Sequence, residues 1–218
     1  MTFVMSKDRS IFWVTLVIGA CVIPTLYWFN KRSPVDEQYI VTNVGALFWL
    51  PMLAILLVLR EEPTAFGFTP GDFRRGLLYG FLFFVVTVPA LAIASRMSVF
   101  QQYYPLRSEA ERDLASFGYF EVSYGIYLFC WEFFFRGFLL FGLRRVLGNW
   151  AVFAQSVAFG IMHLGKPAPE VVASFVAGVA LGVLALRSRS FIPCFLVHWG
   201  SAVLFDILVI AGKPNGLF

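Results

Sequence analysis

YFEVSYGIYLFCWEFFFRGFLLFGL, residues 119–143, decides the class of fold. The stretch is apolar at nearly every position and reaches the ~20 residues that a helix needs to cross the hydrocarbon core of a bilayer. Inside lipid each backbone N–H and C=O must find its partner within its own segment, so such a stretch is a helix. Blocks of comparable length recur at about 11–29, 41–59, 76–94, 149–164, 170–186 and 191–211, each near the length of a span. A transmembrane barrel would show short alternating runs instead, and none are visible.

Composition points the same way. Of the 218 residues, 59% are hydrophobic and 14% are charged, with a mean hydropathy of +0.77. A soluble domain carries about 25% charged residues, and this shortfall leaves too little polar surface to cover a water-exposed globule. The sequence therefore predicts an all-α, polytopic membrane bundle of about seven or eight transmembrane helices. It reads as one integral membrane domain over residues 1–218, without an internal repeat, whose motif-bearing core lies at about 119–211 by the extent of its spans.

The net charge of +4 and the pI near 9.1 do not indicate a nucleic-acid partner. The basic residues sit at the ends of apolar blocks, where loop charge sets topology. Lys7, Arg9, Arg60, Arg74, Arg75, Arg144, Arg145, Arg187 and Arg189 fall on the side of the N-terminus. Lys31, Arg32, Arg96, Arg107, Arg112, Lys166 and Lys213 fall on the other, a margin that places the N-terminus in the cytoplasm. Cys21, Cys130 and Cys194 all lie in apolar stretches and read as small buried hydrophobes.

Local signals fix the ends of the blocks. The first exceeds the usual 7–15 residues of a signal-peptide core, so it reads as a retained span despite a loose lipoprotein-like box at residues 18–21. Tyr27, Trp28, Lys31 and Arg32 mark an interface. The polar stretch 95–118 carries Leu106, Ala110, Leu114 and Phe117 at helical spacing, opposite Arg107, Glu111, Arg112 and Asp113. That pattern predicts an amphipathic helix on the membrane surface, with Ser108 and Glu111 at capping-box spacing. Ser174, Gly178 and Gly182 make a small-residue stripe that lets helix backbones approach closely. Pro193 interrupts the last block, which is either one span or a broken piece followed by a span.

Against this background the polar residues within spans stand out. A charge at mid-membrane costs at least about 2.5–3.5 kcal/mol. Glu132 and Arg136 are four apart on one helix face in the favourable order for an ion pair. His163 and His198, the only histidines, lie in other spans. With the N-terminus inside, Glu132, His163 and His198 sit about 11, 14 and 7 residues from the cytoplasmic end, or roughly 16, 21 and 10 Å deep. In a core about 30 Å thick all three can face one cavity. A carboxylate with two imidazoles suits a general base on water with proton donors. It also suits a catalytic metal with an open position, although no His-Glu-x-x-His motif is present.

These segments resemble the CPBP family, the CAAX proteases and bacteriocin-processing enzymes, also called Abi. That family's pattern is Glu-Glu-x-x-x-Arg, then Phe-x-x-x-His, then His-x-x-x-Asn, each on its own membrane helix. Glu132 and Arg136 match the second Glu and the Arg, Phe159 and His163 the second motif, and His198 the third. Phe66-Gly67-Phe68 through Arg75-Gly76 is similar to the family's connector. Trp131 stands at the first Glu, and Ala202 at the Asn.

The resemblance implies an intramembrane endopeptidase in a prokaryotic cytoplasmic membrane, free of metal and cofactor, acting on a membrane-associated protein or peptide. It implies that Glu132 activates water with His163, that His198 stabilises the oxyanion and that Arg136 orients Glu132. An inactive relative serving as an immunity or scaffold protein, a zinc protease, and a thiol protease using Cys194 are the alternatives. Asp206, two turns after His198, reads as a packing or interfacial residue.

Overall fold

A computed structural model describes residues 6–214 and 216–217. Its elements are α1 (Lys7–Asn30), α2 (Glu37–Leu59), α3 (Phe73–Ala94), the short α4 (Ser98–Tyr103), α5 (residues 114–147), α6 (Ala151–Ile161), α7 (Ala168–Ser188) and α8 (Ile192–Ala211). No strand occurs among the described residues. Among the described residues, six helical runs are long and apolar enough to cross a membrane. One of them, Leu114–Ile161, contains two helices. Gly148 takes φ +57°, a left-handed conformation open to glycine, and α6 folds back along α5. The result is seven long rods in an all-helical membrane bundle, within the range read from the sequence.

α5 is the central post. The most apolar window of its run is 83% buried, whereas in the other spans that share is 6–33%. α3 is the most lipid-exposed, with Phe81, Val86 and Ile93 on its outer surface. Exposed apolar side chains of this size face lipid tails, which solvate them as well as a protein core would.

Capping residues define where the helices begin. The carboxylates of Asp36, Asp72 and Asp113 accept from the amides of Tyr39 (2.8 Å), Arg75 (3.2 Å) and Ser116 (2.7 Å), each satisfying an orphan N–H of a first turn. The Asp113 cap explains a difference from the sequence reading. Asp113 is extended, with φ −161° and ψ 165°, so the amphipathic helix expected through 106–117 does not form. Ser108–Glu111 is a single 3₁₀ turn, and Leu114 and Phe117 begin α5. Glu111 makes no capping box and instead pairs with Lys213 at 2.5 Å. The amide of Ser116 and then the Arg112 guanidinium hold the Asp113 carboxyl below the usual carboxylate range.

Pro193 does not break the last block. It lies in the first turn of α8, where its missing N–H is an orphan in any case. α6 ends at Ile161, three residues before the expected boundary, and Met162–Lys166 continue as turns around Gly165 (φ +100°). Cys21 is exposed on the lipid side of α1, contrary to the buried reading; Cys130 and Cys194 are buried.

Polar and small residues join the rods. Asn30 and Asn43 exchange amide hydrogen bonds of 3.1 and 2.8 Å between α1 and α2. Gln155 donates to the Gly178 carbonyl (2.8 Å) and Ser156 to that of Phe175 (2.8 Å), joining α6 to α7. The small-residue stripe lies at this contact. A Cβ on Gly178 would collide with the Ser156 hydroxyl, and one on Gly182 would lie 2.7 Å from Gln155 Nε2. Gly178→Val is therefore expected to destabilise the bundle by about 1–3 kcal/mol, the usual size of an overpacking effect. A lower melting temperature in detergent would show it, and an unchanged one would remove this contact from the account.

Candidate active site

α5 presents two different faces at its middle. One is an aromatic ladder in which Phe120, Tyr124, Tyr127, Trp131 and Phe135 follow each other with centroid spacings of 5.5, 5.3, 5.4 and 4.9 Å. The other carries Glu132 and Arg136. Adjacent helix positions point about 100° apart, so Trp131 and Glu132 cannot share a surface. At Phe133 the backbone widens into a π-helical turn, Phe133–Leu139, a feature common where function disturbs a helix. Gly137 lies in this turn against the connector before α3, where a Cβ would sit 2.9 Å from the Phe66 carbonyl.

Glu132 and Arg136 are both fully buried. Oε1 of Glu132 accepts from Arg136 at 3.3 Å and from His198 Nδ1 at 2.6 Å, while Oε2 has no partner. Arg136 Nε and Nη2 also lack partners. Its guanidinium carbon lies 3.9 Å from the Phe159 ring centroid, within cation–π range. With Nδ1 bonded to a carboxylate, His198 carries its proton there and leaves Nε2 as an acceptor.

His163 sits in the turn that follows α6. Its Nδ1 lies 2.9 Å from the Phe159 carbonyl. A carbonyl only accepts, so Nδ1 bears the proton and Nε2 is the free acceptor. Phe159 is the common wall, with ring centroids 4.5 Å from His163 and 6.0 Å from His198. Trp131 packs edge-on to His163 at 6.0 Å.

Both histidines line two cavities of about 300 and 400 Å³. The first rises between Trp131, Tyr127 and Tyr39 toward Lys31 and Lys166. The second lies between α3, α7 and α8 and includes Ala202 and Asp206. The turn residues 162–166 line the first cavity, a setting in which non-helical backbone is tolerated at membrane depth. Glu132 lines neither cavity. The expected convergence of Glu132 and His198 is present as a direct bond, but the carboxylate stands behind the imidazole. His163 joins through Phe159, without a bond to Glu132.

Other candidates occupy different surroundings. The Cys194 thiol donates to the Leu181 carbonyl at 3.2 Å, so it engages the α7 backbone. Asp206 is buried beside Glu121, a carboxyl the sequence reading passed over, and also lines the second cavity. Lys166 was missed as well. It lines both cavities and is held by Glu170 (2.7 Å) and the Tyr104 hydroxyl (3.1 Å). The aromatic ladder was legible as a stripe at spacings of four, three, four and four residues. Lys166 gave no signal beyond its place at a span end. Among the described residues, no group of three or more His, Cys, Asp or Glu is placed to hold a metal ion.

A membrane-embedded helical bundle with a buried carboxylate–histidine bond beside a cavity defines the class. Residues 116–204 match the family described as type II CAAX prenyl endopeptidase Rce1-like. That match falls on the stretch that carries the three motifs read as resembling the CPBP family, and the likeness is to CAAX-type membrane proteases. Neither a curated protein nor a solved structure matches the chain.

The pairing of Glu132 with Arg136 has a measurable consequence. Removing one partner of a buried ion pair costs about 3–5 kcal/mol, because the other charge is left uncompensated. Glu132→Gln should lower thermal stability in detergent by that order, and the double variant Glu132→Gln/Arg136→Met should recover much of it. Additive losses in the double variant would show that the two residues do not act as a pair.

Proposed function

We propose that this chain is an intramembrane endopeptidase that hydrolyses a peptide bond of a membrane-associated protein or peptide without a metal ion. The observation that carries the reading is the 2.6 Å bond from His198 to the buried Glu132. Behind an imidazole whose other nitrogen faces a cavity, a carboxylate fixes the tautomer and stabilises the imidazolium that forms on proton uptake. Arg136 supplies the countercharge for Glu132 within the bundle.

In this mechanism a water lies between the Nε2 atoms of His163 and His198. Its oxygen attacks the scissile carbonyl as His198 takes one proton, and the resulting imidazolium returns that proton to the leaving amine. His163, fixed by the Phe159 carbonyl, orients the same water. The base expected from the resemblance was Glu132; its position behind His198 gives it the supporting part instead. With Ala202 where the family has an Asn, the ammonium of Lys166 is the cationic group on both cavity walls available to the developing oxyanion. Water attack needs no cofactor.

One observation favours a second reading, a non-catalytic relative that keeps the fold as an immunity or scaffold protein. Trp131 fills the cavity position next to His163, and its buried Nε1 has no partner.

Cleavage of a lipidated or leader peptide by the purified protein distinguishes the two. On the proposed mechanism, His198→Gln and His163→Gln each reduce the rate by about 10²–10⁴-fold, the usual scale of general-base loss, and a chelator leaves it unchanged. Activity lost to a chelator and restored by zinc would replace this mechanism with a metalloprotease. A folded wild-type protein that cleaves none of a panel of such peptides would favour the non-catalytic relative.

A further inference from the structure

Four arginines share one hollow at the membrane face that carries the N-terminus of α1. Arg75 belongs to the first turn of α3, Arg144 and Arg187 to the last turns of α5 and α7, and Arg189 to the cap of α7. Together with the hydroxyl residues Thr64 and Thr69 they line a volume of about 960 Å³. These side chains all project from helix ends, the level at which spans leave the hydrocarbon and lipid phosphates lie.

The charges in the hollow are unbalanced. Its one carboxylate, Asp72, already caps α3 and pairs with Arg75 at 3.2 Å. On the same face Lys7 pairs with Glu61 at 2.5 Å and Arg145 with Asp8 at 3.4 Å, and Arg9, Arg60 and Arg74, which have no salt bridge among the described residues, lie outside the hollow's lining. Among the described residues, Arg144, Arg187 and Arg189 have no ion-pair partner. Arg187 lies instead 5.9 Å from the Tyr79 ring centroid. The C-termini of α5 and α7 offer only about half an elementary charge each.

The rim is built rather than loose. Among the described residues, Arg189 is one of two non-glycine residues with positive φ, at +56°, a conformation that favours Gly or Asn. The Asp72 amide donates to the Ser188 carbonyl at 2.7 Å. Gly71, at φ +56°, packs so closely on that carbonyl that a Cβ would collide with it. The loop before α3 is thus stitched to the end of α7, and the backbone that carries the arginines frames a fixed opening.

We propose that this hollow binds the phosphate headgroup of an anionic phospholipid. Guanidinium forks match phosphate oxygens in bidentate geometry, and basic pockets between transmembrane helices bind anionic headgroups. Phe141 and Leu186 give the hollow an apolar side, where the lipid's glycerol and first methylenes lie. The shared chemistry is a phosphate ester, and its position in the plane of the leaflet assigns a lipid source over a dissolved one.

The test is thermal unfolding of the delipidated full chain in neutral detergent. Phosphatidylglycerol should raise the midpoint by several degrees, and phosphatidylcholine with the same chains should not. Arg144→Gln/Arg187→Gln should lose most of that shift, while Arg32→Gln/Arg96→Gln on the opposite face keeps it. Arg189→Asn separates binding from folding. Asn tolerates the left-handed conformation better than Arg does, so the lipid-free protein should be no less stable, yet its response to phosphatidylglycerol should shrink. Equal shifts with both lipids, or a full shift in the arginine variants, would overturn the proposal. So would inorganic phosphate reproducing the effect at the same concentration, which would identify a site for dissolved anions.

Discussion

A single carboxylate oxygen holds the middle of this protein together. Glu132 Oε1 accepts from both Arg136 and His198, and all three groups stand where water does not reach the carboxylate. Taking an ion out of water costs several kcal/mol even after relaxation, and mutual attraction repays it only with good geometry. That requirement makes α5 the buried post of the bundle and ties α8 to it. It also places the Phe159 ring over the guanidinium, whose Nε and Nη2 are otherwise without partners. The π-helical turn after Glu132 and the glycine approach at Gly137 bring the connector before α3 against the same region.

The neighbouring position shows how strictly helix geometry assigns roles. Trp131 and Glu132 adjoin in sequence, yet one faces the cavity and the other is buried behind His198. A carboxylate lost from the first position therefore cannot be supplied by the second without rotating the helix. The carboxylate instead bonds the imidazole that stands between it and the cavities. Trp131 meanwhile extends an aromatic ladder whose Tyr124, Tyr127 and Trp131 line the first cavity beside the histidines, Lys31 and Lys166.

The bilayer explains features that would be faults in water. The exposed Val, Phe and Ile residues of α3 have lipid as their solvent, and the polar links between rods are few and specific, such as Asn30 with Asn43 and Gln155 with the Gly178 carbonyl. The aromatic and arginine residues at the helix ends belong to the interfaces. The hollow formed by Arg75, Arg144, Arg187 and Arg189 is continuous with that pattern, but the convergence of four guanidiniums on one opening with a single carboxylate sets it apart from scattered topological charge.

The membrane class, the spans and the polar residues within them were legible in the sequence, because a segment in lipid must satisfy its own backbone and hydrophobic length registers directly in the chain. The pairing of Glu132 with Arg136 was legible for the same reason, being local to one helix. Other features depend on contacts between distant segments and could not be read from periodicity. The polar stretch 95–118 had helical spacing, yet the Asp113 cap started a helix at Leu114, since a satisfied amide outweighs a weak amphipathic pattern. The proline in the last block was ambiguous until its place in a first turn was known. Which face of α5 meets α8, that Glu132 lies behind His198 and not on the cavity, and that Glu121 adjoins Asp206 were all decided by tertiary structure. The physical reason is that helix rotation is set by packing against neighbours, and lipid, being as apolar as the side chains it touches, favours no rotation by itself.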